Sequence, residues 1–268
     1  MPLRADERLV KMGLAPTIEM ARALVMEGRV LLGTQKIVKP SESVKKDAQL
    51  SIKGETDAYV SRGAKKLKKA MEVFGLDVKD LVCMDVGAST GGFSDVMLRS
   101  GAKRVYSIDV GYNLLDWRIR SNPRVTCMER TNARFLTADM FDEMPQFGAT
   151  DVSFISLKAV LPAIFSVLKE NAQFVALIKP QFEAAKEDVG EKGVVRERRV
   201  HEAVVRDIAE FVLKSGKTIE GLDFSPIQGP EGNIEFLLLI RNSLEVCRSF
   251  EFDTIDDVIC RAYDKFVK

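Results

Sequence analysis

The chain has 268 residues, 46% apolar and 29% charged, the balance of an ordinary globular protein with room for one large domain and a small one. No apolar run approaches the ~20 residues that a bilayer-spanning helix needs. The first six residues lack the apolar core of a signal peptide, so a cytoplasmic protein is expected. The net charge of +1 conceals a split: residues 1–70 hold 15 Lys and Arg against 8 Asp and Glu, and the remainder is net acidic. A basic front on an acidic body is the pattern of a polyanion-binding appendage. Cys83, Cys127, Cys247 and Cys260 stand alone without a CxxC pair, as free thiols do in a reducing compartment.

In chain order, a short helix is predicted over 4–12, ended by Gly13. Thr17 can N-cap a second helix whose Ala21, Leu24 and Val25 share one face and which Gly28 closes. Short β-segments follow at 30–32, around Val38 and at 50–52. This small α+β module, residues 1–55, carries Arg4, Arg8, Lys11 and Arg22 on its helices. It reads equally as a polyanion-binding unit and as a cap on the larger domain. A short link at 56–60 leads into Ser61-Arg62-Gly63-Ala64-Lys65-Lys66-Leu67-Lys68-Lys69, five cations in nine residues with no acid. On a helix Lys65 and Lys69 lie on one side, and phosphate binding is a natural use for such density.

From residue 81 strands and helices alternate. Strands are expected over 81–85, 104–110, 125–129, 150–154, 173–179, 220–225 and 235–240, with helices over 92–100, 158–170 and 200–214. Ile255, Val258 and Ala262 add a helical spacing near the C-terminus. The alternation predicts an α/β fold over 61–268, a doubly wound Rossmann-like sheet with ligands at the carboxyl ends of its strands.

Two constellations carry chemistry. The loop Asp85-Val86-Gly87-Ala88-Ser89-Thr90-Gly91-Gly92-Phe93-Ser94 leaves a strand and opens a helix, where glycines admit a close ligand. It begins with an acid rather than the GxGxxG of a pyrophosphate site, which suits an amino-acid moiety. The next strand ends at Asp109, placed to hold the ribose hydroxyls of an adenosine. Together these favour S-adenosylmethionine over NAD. The second constellation is Asp151, Lys179 and Glu235, each abutting an apolar strand where an unpaired charge is costly. They read either as strand-end salt bridges or as groups converging, with a lysine of the basic segment, on one reacting hydroxyl.

These blocks, with Asp109-Val110-Gly111-Tyr112, Glu129-Arg130-Thr131-Asn132-Ala133-Arg134 and Gly229 to Glu235 in the same order, resemble the TlyA family of rRNA 2′-O-methyltransferases. That family's catalytic domain is similar to the FtsJ/RrmJ class. The N-terminal module resembles the RNA-binding domain named after ribosomal small-subunit protein four, with Ile18 where an arginine is common and Gly33-Thr34-Gln35 at the usual Asn-Gly turn. The resemblance implies a catalytic tetrad of Lys66, Asp151, Lys179 and Glu235, with Lys65 as the competing first lysine. It implies cofactor contacts from Asp85, Gly87, Ser89, Gly91, Gly92, Phe93, Asp109, Asn132 and Asp151. RNA contacts are expected from Arg4, Lys11, Arg22, Arg62, Lys65 and Lys69.

The implied reaction is methyl transfer from S-adenosylmethionine to a ribose 2′-hydroxyl, of a cytidine by family likeness, in ribosomal RNA or a ribosomal subunit. Lys179, neutral at the moment of reaction, is the expected proton acceptor. No metal and no membrane contact is called for, and no motif fixes the oligomeric state. A non-catalytic RNA-binding or ribosome-assembly factor and a haemolysin-type membrane-active protein are the alternatives. The single histidine, His201, is expected at a helix start or on the surface, away from substrate.

Overall fold

Runs such as Phe174-Val175-Ala176-Leu177-Ile178 and Phe236-Leu237-Leu238-Leu239-Ile240 suit strands covered on both faces. In the computed structural model, which describes residues 2–15, 17–53, 58–243 and 250–267, they lie side by side. The chain divides into two units, Met1–Ala58 and Tyr59–Lys268.

The first unit contains β1 (Leu3–Arg4), α1 (Ala5–Lys11), α2 (Ile18–Met26), β2 (Val30–Leu32), β3 (Gln35–Lys36), β4 (Ser43–Val44) and β5 (Leu50–Ile52). The Thr17 hydroxyl accepts from the Met20 amide at 3.2 Å and caps α2 as expected. Leu9, Ala21, Leu24, Val25, Val30 and Leu50 close a small core. The strand expected around Val38 forms earlier, at β3: Val38 is exposed, and its amide donates to the Glu42 side chain rather than to a ladder.

The second unit runs α3 (Ala64–Phe74), β6 (Val82–Val86), α4 (Gly92–Arg99), β7 (Arg104–Ile108), α5 (Trp117–Arg120), β8 (Val125–Met128), β9 (Phe147–Thr150), α6 (Leu157–Val167), β10 (Gln173–Ile178), α7 (Pro180–Glu183), α8 (Arg198–Lys214), β11 (Thr218–Phe224), β12 (Phe236–Arg241) and α9 (Thr254–Phe266). The sheet order is β11-β12-β10-β9-β6-β7-β8, with β12 alone running against its neighbours. Side-chain alternation sorts the two faces. Met84, Phe174, Ala176, Phe236 and Leu238 pack beneath α6, α8 and α9. Cys83, Val175, Leu177, Leu237 and Leu239 face the core shared by α3, α4 and α5. The sheet is therefore doubly wound.

The strand expected over 150–154 ends at Thr150 and begins earlier, at Phe147. Val152 and Phe154 alternate like strand residues, yet Phe154 adopts φ 63 and turns the chain into a loop. This displacement matters, because it puts Asp151 and Ser153 at a sheet end rather than inside a ladder.

Candidate active site

The glycine-rich loop after β6 serves its own neighbours first. Gly87 has φ 80, and a Cβ there would stand 3.1 Å from Val152 and 3.2 Å from the Asp151 backbone. A Cβ at Gly92 would clash with the Ser61 hydroxyl and stand 3.1 Å from the Ala64 amide, so a side chain there would force Ser61 to move. Gly91, at φ 93, faces Leu115 and Ile119 and lines neither of the two cavities described below. Asp109, one residue beyond β7, accepts the Ser89 and Gly111 amides at 2.7 Å each, which stitches the loop to the second strand. Asp85 is buried and accepts from the Ser94 amide at 2.8 Å and the Ser94 hydroxyl at 2.7 Å. Burial pushes its carboxyl up to about 7, against the pull of the Ser94 hydrogen bonds.

Two cavities adjoin at the carboxyl ends of the strands. The larger, about 460 Å³, has Asp109 and Asn132 on one side and apolar Val110, Leu114, Ile155 and Val160 around it. The smaller, about 300 Å³, holds Lys66, Asp85, Phe93, Lys179 and Glu235. Among the described residues only Gly87, Ser89, Asp151 and Ser153 line both.

At this junction four charges converge from α3, β9, β10 and β12. Lys66 Nζ lies 3.1 Å from Asp151 Oδ2 and 2.7 Å from Glu235 Oε2. Lys179 Nζ lies 2.6 Å from Asp151 Oδ1 and donates to the Ser153 hydroxyl at 2.8 Å. Both lysines are 7% exposed and Glu235 1%. Burial works against the Lys66 charge, but Asp151 and Glu235 outweigh it and hold its pKa above the ordinary value. Burial likewise opposes the Asp151 charge, and Lys179 and Lys66 overcome it, so that carboxyl sits below its usual range. Glu235 goes the other way: burial raises its pKa although Lys66 opposes the rise. Lys65 points outward and is exposed, so Lys66 is the lysine that reaches the cleft.

The expected RNA contacts separate into two groups. Arg62 and Lys65 are exposed beside the cleft, and Lys11 is exposed on α1. Arg4 and Arg22 instead converge on buried Asp6 at 2.8 and 3.0 Å, an arrangement that takes part of each guanidinium. Lys69 turns inward to Asp223 at 2.8 Å and to the Phe224 carbonyl at 2.6 Å, which corrects its reading as a free surface cation. His201 lies in the first turn of α8, as the helix-start reading has it, but is 1% exposed rather than on the surface, with Nδ1 2.9 Å from the Tyr263 hydroxyl of α9. Cys83 is buried and Cys260 exposed, while Cys247 falls outside the described residues.

Sequence reasoning passed over Ser153 and Phe154. Phe154 is 90% exposed, with its ring 5.0 Å from Phe182. It also passed over the role of Glu183, which accepts from the Ser156 hydroxyl at 2.6 Å and the Leu157 amide at 2.7 Å and so caps α6. The signal for these was present in the 151–157 and 179–183 blocks, but only the fold brings them face to face.

With this geometry in view, the comparisons with known proteins decide the family. The model of the FtsJ-like methyltransferase family matches residues 59–242. The chain belongs to the FtsJ-like methyltransferase family. An S4 domain model matches residues 3–50. Among relatives, the chain is 48% identical over 236 residues to YqxC of Bacillus subtilis, provisionally named an rRNA methyltransferase, covering 88% of this chain and 84% of that one. It is 39% identical over 260 residues to the 16S/23S rRNA (cytidine-2′-O)-methyltransferase TlyA of Mycobacterium tuberculosis, covering 97% and 96%. A solved structure from Streptococcus thermophilus, provisionally named a hemolysin, superposes with a TM-score of 0.76 at 44% identity over 99% of this chain and 97% of that one. Relatives of this chain thus carry both kinds of name.

Proposed function

We propose that this FtsJ-like protein transfers a methyl group from S-adenosylmethionine to the ribose 2′-hydroxyl of a cytidine in ribosomal RNA. The observation that carries the reading is the chain Glu235–Lys66–Asp151–Lys179, continuous at 2.6–3.1 Å, at the junction of two cavities. The larger cavity suits the cofactor: an apolar slot takes an adenine, Asp109 can accept ribose hydroxyls, and Gly87 and Ser89 line it. Gly92, Phe93, Asp85 and Asp151 lie on the side of the amino-acid end, with Asn132 near the adenosine.

When bound, S-adenosylmethionine supplies an electrophilic methyl on a sulfonium whose charge disappears on transfer. The protein's contribution is then alignment and proton removal. Lys66, between two carboxylates, remains a fixed cation that orients Asp151. Lys179, with one carboxylate oxygen and one hydroxyl, accepts the proton of the ribose hydroxyl as the new carbon–oxygen bond forms. Glu235 balances Lys66 and keeps it off the reacting centre.

The S4-type unit, with Lys11 and the remaining donors of Arg4 and Arg22, is the second RNA contact in this reading. Arg62 and Lys65 serve the phosphates near the cleft, and the cytoplasm is where such a substrate is met. Among the described residues no helix is long and apolar enough to cross a membrane. The reading is tested by incubating the protein with labelled S-adenosylmethionine and ribosomal subunits lacking the modification. Label recovered in rRNA supports it; measurable cofactor binding with no label in any ribosomal RNA overturns it.

A further inference from the structure

We infer that Ser153 is a positioning residue that aims the lone pair of Lys179 at the reacting hydroxyl. The inference rests on the proposed 2′-O-methylation and adds a residue to it. Three oxygens surround Lys179 Nζ: Asp151 Oδ1 in an ion pair at 2.6 Å that lacks hydrogen-bond geometry, Ser153 Oγ in a hydrogen bond at 2.8 Å, and the Asp151 carbonyl at 3.5 Å. The last is too long to hold a donor firmly. A neutral lysine has two N–H bonds and one lone pair, and one firm hydrogen bond stops free rotation about Cε–Nζ and leaves the lone pair two staggered positions. Ser153 makes the one short hydrogen bond. The charge of Asp151 Oδ1 at 2.6 Å draws the remaining N–H to its side, which leaves one direction for the lone pair.

The location supports this role. Ser153 is exposed to the cleft and lines both cavities, so it stands where methyl donor and hydroxyl must meet. Its backbone is set by the turn at Phe154 and by the Glu183 cap on α6, which ties the 151–157 loop to the segment following Lys179. Among the described residues the other charged groups lining this cavity are Arg62, Lys66 from α3, Asp85 from β6, Asp151 after β9 and Glu235 before β12. The Phe182 ring lies 5.8 Å from Lys179 Nζ. Among the charged groups only Asp151 touches Lys179, so Ser153 supplies the second of its two short contacts.

The Ser153 oxygen accepts a hydrogen bond and takes no proton. The covalent step is unchanged: the carbon–oxygen bond forms, the sulfur–methyl bond breaks, and the hydroxyl proton goes to Lys179.

The test is single-turnover methyl transfer to unmodified rRNA at saturating S-adenosylmethionine, comparing the wild type with Ser153→Ala and Ser153→Thr. Ser153→Ala is expected to lose about tenfold in the rate of transfer, the upper scale of one hydrogen bond, with KM for the rRNA unchanged. Ser153→Thr, which keeps the hydroxyl, should restore the rate. A wild-type rate in Ser153→Ala, or a rate in Ser153→Thr as low as that of Ser153→Ala, overturns the inference while leaving the methylation reading in place. Absence of transfer by the wild type removes that reading and this inference together.

Discussion

Lys66 and Lys179 hold opposite oxygens of one carboxylate, Asp151, at 3.1 and 2.6 Å. The two lysines are not equivalent, because Lys66 has a second carboxylate, Glu235, at 2.7 Å and Lys179 has a hydroxyl. Lys179→Met should therefore lower methyl transfer by roughly 10²–10⁴-fold with cofactor affinity intact, the range for loss of a general base. Lys66→Met should lower transfer and also stability, by about 3 kcal/mol, since Glu235 is left buried without its cation. Transfer assays paired with denaturant unfolding separate the two. Equal stability loss in both variants contradicts the division of roles.

In the proposed complex Asp85 should make cofactor binding sensitive to pH. Its carboxyl is pushed up to about 7 by burial, so below that pH it is protonated in the free protein. A bound ammonium favours the ionised form, and ionising a protonated acid opposes binding. Affinity for S-adenosylhomocysteine should fall by up to about tenfold per unit below pH 7. Calorimetric titration between about pH 8 and pH 5.5 checks it. Asp85→Asn should bind more weakly at high pH and lose the dependence; an equal slope in both proteins counts against Asp85.

Two neighbouring lysines should behave oppositely. Lys65 is exposed, and in the proposed complex Lys65→Ala weakens RNA binding and reduces the salt slope by about one. Lys69→Ala leaves buried Asp223 with Arg261 alone, at 3.1 Å, and should cost about 1–3 kcal/mol of stability with the salt slope unchanged. Filter binding over a salt series and urea unfolding give the two numbers. Lys69 altering the salt slope as Lys65 does would mean that it reaches phosphate after all.

His201 should make the fold acid-sensitive. Burial against α9 pushes its ring down to about 4, below the value near 6.5 expected of an unfolded chain. The unfolded chain therefore takes up the proton first on acidification. The contribution is complete above about pH 6.5 and is lost as pH falls toward 4, to a limit of about 3 kcal/mol. Urea unfolding of the wild type should show this loss, and His201→Phe should not. Parallel pH slopes in the two proteins contradict it.

How far the sequence could be read depended on whether a signal was local. The strands β10 and β12 were legible because burial on both faces leaves unbroken apolar runs. Asp109 and Glu235 were legible as acids at the ends of such runs. The boundary at Thr150 was not: Val152 and Phe154 mimic strand alternation, and nothing local announces the positive φ at Phe154. The choice between Lys65 and Lys66 follows from helical phase once α3 is known to bury Ala64, Leu67 and Ala70. That face leaves Lys65 opposite and Lys66 on its flank. The inward turn of Lys69 and the sharing of Asp6 by Arg4 and Arg22 depend on partners that only the fold brings near. Ser153 was hidden for the same reason, since its partner Lys179 lies 26 residues away in the chain.

The most direct test of the central claim is to locate the transferred methyl. Unmodified ribosomal RNA labelled by the wild-type protein is hydrolysed with alkali, and the resistant linkages are mapped. The account predicts label on a ribose 2′-oxygen of a cytidine, giving a discrete gap in the ladder, and no label with Lys179→Met. Label on a base, or undiminished label with Lys179→Met, contradicts it.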